Sequence, residues 1–211
     1  MRNSPGSRSI ACSRFPETCI AGPAVAGWLW VFALAFAPVA GAADVQVHAS
    51  RTGDSFDVAA LAAIDADVQV AWEVLTDYER LSSFIPGMHS SRLLSREGNR
   101  AVVEQRGEAR LLFFHFPIEV RLSIEEHAPE TLLSQATAGN FRELKGAYRL
   151  EAEGARTRLS YHGRFTPDFD IPPLIGTMVV RHTLEQRFRA LVQEMLRRQA
   201  GRQQPPAEGR R

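Results

Sequence analysis

Cysteine is almost missing from this chain. Its 211 residues include only Cys12 and Cys19, and both lie among the first 42. Once that segment is set aside, disulfides, thiolate catalysis and zinc–sulfur sites are excluded, and an apolar core must hold the fold. Lysine is as scarce: 24 of the 25 basic residues are arginine, Lys145 being the exception, a bias that reads as codon composition rather than function. Neither sign of charge dominates, the formal net charge being +1. No basic stripe is interleaved with aromatics, so nucleic acid is not an expected partner. The fingerprints of common catalysts are missing too: no G-x-S-x-G, no phosphate-binding loop, no paired-glycine dinucleotide motif. His48, His89, His115, His127, His162 and His182 show no HExxH or other ligand spacing, so neither a metal nor a cofactor is expected.

What is present begins with an export signature. Arg2, Arg8 and Arg14 precede an uncharged run over residues 21–39, whose dense part, WLWVFALAF, is followed by Pro38 and Ala40-Gly41-Ala42. Basic residues, a short apolar stretch, a helix-breaking proline and small residues at an A-x-A site are the layout of a secretory signal peptide, implying a periplasmic or secreted protein. The competing reading is an uncleaved membrane anchor, for which residues 21–43 are long enough. Residues 1–42 are thus read as a signal peptide, 43–53 as a linker, 54–198 as one domain and 199–211 as a disordered basic tail. With 45% hydrophobic and 23% charged residues, the composition is that of an ordinary globular domain. Charge is uneven: residues 43–171 carry 14 basic and 20 acidic groups, and residues 172–211 carry 8 and 3. A basic C-terminal helix on an acidic body suits transient contact with a membrane surface or an acidic partner. A solvated helix face with a basic tail accounts for the same pattern without any partner.

Periodicity sets the architecture. Residues 55–65 read as a strand. Asp67 can cap a helix over 68–77 with Val68, Ala71, Trp72 and Leu75 on one face, and a second short helical segment over 78–84 is stopped by Pro86-Gly87. A meander follows, with strands over 89–97, 100–109, 113–126, 131–138, 141–153 and 156–165. Its clearest alternation puts Phe114, Phe116, Ile118, Val120, Leu122 and Ile124 on one face and His115, Glu119, Arg121, Ser123 and Glu125 on the other. After the stiff PDFDIPP loop at 167–173, residues 174–198 carry Val180, Leu184, Phe188, Leu191 and Met195 at helical spacing. Strands with one apolar and one charged face make an antiparallel sheet solvated on one side, and one long helix is available to cover the other. The expected class is α+β: a curved antiparallel sheet of about seven strands wrapped on a long C-terminal helix, with two short helices after the first strand.

Residues 70–94, VAWEVLTDYERLSSFIPGMHSSRLL, run an aromatic-containing helix into T-D-Y, a short helix and F-x-P-G. With the Gly139-Asn140-Phe141 turn, Gly146 and the proline-rich loop, they resemble the START-like, or helix-grip, superfamily. Within it they are similar to the coenzyme Q-binding and polyketide cyclase/dehydrase group, over residues 54–198. The resemblance implies a hydrophobic ligand, such as a lipid, quinone or other isoprenoid-like molecule, held between sheet and helix. By the same analogy Phe84, Ile85, Met88, Phe169 and Ile171 form the cavity mouth.

The residues supply their own argument for a cavity. Gln105 and Gly107 stand on an apolar strand face, beside the row containing Phe114 and Phe116, and Gly163 sits between Tyr161 and Phe165, where a packed core wants bulk. The same glycines would equally serve sheet bending or close helix approach. Tyr148 and Tyr161 can offer hydroxyls to a carbonyl oxygen or to a backbone partner. Projected at about 100° per residue, the last helix places Thr177 at the centre of its apolar stripe and Arg181 on the flank. Beneath the sheet, Arg181 would need a ligand headgroup, Asp168 or Asp170 as its partner, unless it snorkels at the rim. Three functions follow: a non-catalytic carrier; a cyclase or dehydratase using Tyr148, Tyr161 or Arg181; and a cell-envelope interaction protein with a vestigial cavity.

Overall fold

The computed structural model describes residues 44–111 and 113–204; the expected signal peptide, both cysteines and residues 205–211 fall outside them. The chain opens with a hairpin of β1 (Val45–Thr52) and β2 (Ser55–Ile64), turned at Gly53, whose φ of 61° suits glycine. Three short helical pieces follow: α1 (Val68–Thr76), a 3-10 turn (Tyr78–Arg80) and α2 (Leu81–Phe84). The meander then runs through β3 (Met88–Glu97), β4 (Arg100–Leu111), β5 (Phe114–His127), β6 (Thr131–Gly139), β7 (Phe141–Glu153) and β8 (Arg156–Pro167). The chain ends in α3 (Pro173–Gln203). All pairings are antiparallel, in the order β1-β2-β8-β7-β6-β5-β4-β3. The fold is α+β and helix-grip: β1 and β3 are the edges, the helical pieces cross from one side to the other, and α3 packs against β1, β2 and β4.

Two boundaries differ from the sequence reading. Residues 45–52, taken there as linker, are a full strand in register with β2, so the sheet has eight strands rather than seven. The reason is side-chain alternation over a short stretch: Val45, Val47 and Ala49 pack toward the core while their neighbours face solvent. Helix α3 also runs on to Gln203, past Arg198 and into the expected tail. Its last turns are fastened to α1, where Arg198 donates to Asp77 at 2.6 Å and Arg202 pairs with Glu73.

Asp67 caps α1 as the sequence suggested, its Oδ1 accepting the Gln69 N–H at 2.7 Å. The helix buries Val70, Ala71, Trp72, Val74 and Leu75, each large side chain contributing about 1.5–3 kcal/mol. The T-D-Y signature then acts as a clamp. Asp77 receives Arg198 of α3, and the Tyr78 hydroxyl donates to Glu126 of β5 at 2.7 Å. Glu126 in turn accepts from Arg96 at 2.9 Å, and that guanidinium lies over the Tyr78 ring. A motif that marks the fold therefore ties helix, sheet and the first helices together.

Candidate functional site

Between the inner face of the sheet and α3 lies a cavity of about 270 Å³. Its floor is the β5 row, where Phe116, Ile118, Val120, Leu122 and Ile124 all face inward, matching the alternation read from the sequence. The side chain of Phe114 is outside those described. The roof is α3, contributing Val179, Val180, Thr183, Leu184, Arg187, Phe188 and Leu191. One end is aromatic. Phe116 stacks on Phe169 at 5.9 Å, Phe141 meets Phe165 and Phe169 edge-on at 5.9 and 6.4 Å, and Phe165 stacks on Phe56 at 5.4 Å.

The Gly139-Asn140-Phe141 turn builds that end. Gly139 has φ of 122°, and any Cβ there would run into the Glu119 carbonyl. Asn140 donates to Pro117 O at 2.7 Å and accepts the Glu119 N–H at 2.9 Å, while its carbonyl takes the Asp168 N–H. The side chain and backbone of one residue thus join β5, the β6–β7 turn and the loop before α3, which sets Phe141 against Phe169.

Of the expected ligand-contacting residues, Gln105, Phe116, Tyr148 and Tyr161 line the cavity, as do Ile85, Met88, Phe169 and Ile171 of the expected mouth. Phe84 does not; it packs against the core. Gly107 is a close-approach glycine, since a Cβ there would collide with the Gly87 carbonyl and meet the Met88 Cα at 3.1 Å. Gly163 also leaves no open volume. It pairs in register with Gly146, and a Cβ on either would meet the Tyr161 hydroxyl, at 2.5 and 2.7 Å. The paired glycines seat the Tyr161 ring, which Tyr148 covers at 4.5 Å.

On α3 the apolar stripe is as expected, but its polar members are not. Thr177 is half-buried and outside the lining, and Arg181 is exposed. The first turns of α3 extend past the cavity, leaving Leu174 95% and Met178 54% exposed. The arginine under the sheet is Arg187, two turns beyond Val180 on the same face. The spacing Val180, Thr183, Leu184, Arg187, Phe188, Leu191 would have found it, had an arginine been allowed on an apolar stripe. Arg187 donates Nη2 to the Glu108 carbonyl at 3.0 Å, and no carboxylate lies within 4 Å of it among the described residues. Burial draws its pKa below the ordinary guanidinium value, though not far enough to discharge an arginine. Burial also pushes the Tyr161 hydroxyl up to about 12 and Tyr148 higher, Tyr161 adding to the latter. No cluster of three metal-ligating side chains occurs among the described residues, and no helix among them is long and apolar enough to cross a membrane.

A sheet of this order, gripping a C-terminal helix across an apolar cavity, defines the START-like class. Solved structures agree on the fold. Similar to this chain are the Zhui aromatase/cyclase from Streptomyces sp. R1128 (TM-score 0.60, 14% identity, covering 72% of this chain and 98% of that one) and a STAR-related lipid transfer protein fragment from Xanthomonas axonopodis (0.59, 15%, 72% and 93%). A START superfamily protein from Mycobacterium smegmatis is similar too (0.56, 14%, 69% and 97%). A search of curated proteins gives no match. Residues 64–201 match the family model described as polyketide cyclase / dehydrase and lipid transport, and the chain belongs to that family.

Proposed function

We propose that the protein binds or carries a hydrophobic ligand (a lipid, quinone or other isoprenoid-like molecule) in the cavity under α3, without catalysis. The observation that carries this reading is the composition of the wall: among the described lining residues Arg187 alone is charged, and none is a carboxylate, imidazole or thiol. Such a surface favours apolar chains and offers a few polar groups to orient them. General acid–base chemistry works best with a group titrating near the operating pH. Tyr148 and Tyr161 are displaced away from neutrality, which supports a binding role over a cyclase or dehydratase one.

Native mass spectrometry of the purified protein, followed by organic extraction, tests the proposal. A lipid- or quinone-mass adduct is expected. It should disappear in Leu144→Trp, which places an indole in the cavity, while the circular dichroism spectrum stays that of the folded protein. A clean apo mass, together with no affinity for quinones or phospholipids, would overturn it.

A further inference from the structure

Two buried side-chain polar atoms among the described residues have no hydrogen-bond partner: Thr183 Oγ1 and Arg187 Nε. They are four residues apart on α3, hence on one face, and both side chains line the same cavity. Buried donors left unmade are costly, so two of them one helical turn apart in a mostly apolar wall call for an explanation. Arg187 is also held in place. Its Nη2 is fixed on the Glu108 carbonyl, a residue whose own N–H bonds to Gly87 O at 2.7 Å. The guanidinium therefore cannot swing to solvent without giving up that bond, and among the described residues no anion balances the cation in the wall. The Tyr148 hydroxyl belongs to the same neighbourhood, near enough for the two groups to influence each other electrostatically.

We infer that Arg187 Nε and Thr183 Oγ1 form the headgroup subsite for a carboxylate-bearing amphiphile, whose hydrocarbon lies along the β5 row. This rests on the binding function proposed above and narrows it to a ligand class. Two donors one helical turn apart on the same face can each meet one oxygen of a carboxylate, and one fixed cation balances one negative charge. A phosphate monoester would bring more charge than this wall compensates. A neutral quinone or ester would leave the guanidinium unbalanced.

The test is competition binding on the full chain, read by native mass spectrometry, with lauric and palmitic acids against their methyl esters and the matching alcohols. The acids should win by at least about 30-fold, the ratio expected when a buried charged partner is removed. Arg187→Met should abolish that preference while still binding the esters, and Thr183→Val should lower acid binding alone. The wild-type competition decides the inference by itself should Arg187→Met not fold. Equal binding of acid, ester and alcohol would overturn the headgroup subsite and leave the hydrophobic cavity standing. A preference for acid that survives in folded Arg187→Met would remove Arg187 from the role. Binding of none of the probes would overturn this inference, and an apo mass from the extraction experiment would then take the carrier reading with it.

Discussion

Single residues here divide between those that grip and those that line. Glu194 is the clearest of the first kind. It is buried on α3 and accepts from Arg197 at 2.6 and 2.7 Å and from Arg198 at 2.7 Å, and Arg198 carries the tie onward to Asp77. The Arg197 hydrogen bond, outweighing burial, holds its carboxyl at about 2, below the ordinary 4.5. A depressed carboxylate stabilises the fold fully above its unfolded value and loses that contribution as pH falls toward the folded one. Stability should therefore decline between about pH 4.5 and 2, and Glu194→Gln should flatten that decline while costing about 1–3 kcal/mol at pH 7. Urea unfolding at a series of pH values checks this. Glu108, held at about 2 chiefly by Arg110, titrates in the same window, so the wild-type minus variant difference is the informative quantity. A variant curve parallel to wild type would place the acid sensitivity elsewhere.

At the scale of elements, the paired strands β7 and β8 show how a sheet makes room for a ring. Gly146 faces Gly163 and Tyr148 faces Tyr161 in register, so Tyr161 leans onto the glycine pair while Tyr148 closes over it. A single methyl at Gly163 would push the ring toward the cavity, because the Tyr148 stack blocks other routes. Gly163→Ala should lose about 1–3 kcal/mol by overpacking and reduce ligand occupancy as Tyr161 enters the binding volume. Denaturant midpoints and adduct fractions measured on the same preparation test both parts; an unchanged stability would mean that Tyr161 has another rotamer to occupy. Here the sequence singled out the glycine and left its reason open between cavity volume and close approach. Glycines on an apolar face read as missing bulk, whereas cross-strand register showed whose bulk they accept.

At the scale of the whole molecule, much of the positive charge described on α3 is matched by acids it touches. Four of the six arginines of α3 pair with nearby acids: Arg189 with Glu185, Arg197 and Arg198 with Glu194, Arg198 also with Asp77, and Arg202 with Glu73. Among the described arginines of α3, Arg181 is exposed and pairs with no acid. Export is proposed from the N-terminal pattern alone. Cleavage after Ala42 would leave Ala43 as the first residue, two before β1 begins at Val45. N-terminal sequencing of the protein from a periplasmic or culture fraction should read Ala43-Asp44-Val45; an intact Met1 in the membrane fraction would establish the anchor instead.

Strand alternation, the cap at Asp67, the Gly139-Asn140 turn and the helical stripe from Val180 to Met195 were all legible in the sequence, because each depends on neighbours two to four residues away. With one apolar face per strand and one long helix to cover it, these local signals left the helix-grip arrangement as the economical solution. The inward row of β5, and with it the floor of the cavity, followed from period two alone. What only the tertiary structure decided involves partners distant in sequence. Gly107 answers to Gly87, Gly163 to Tyr161 across a glycine pair, and β1 to β2 by a register its short length barely announces. The choice of Arg187 over Arg181 belongs here too. Periodicity places both near one stripe, but only the packing of α3 against β4 determines which guanidinium meets the Glu108 carbonyl and which meets water.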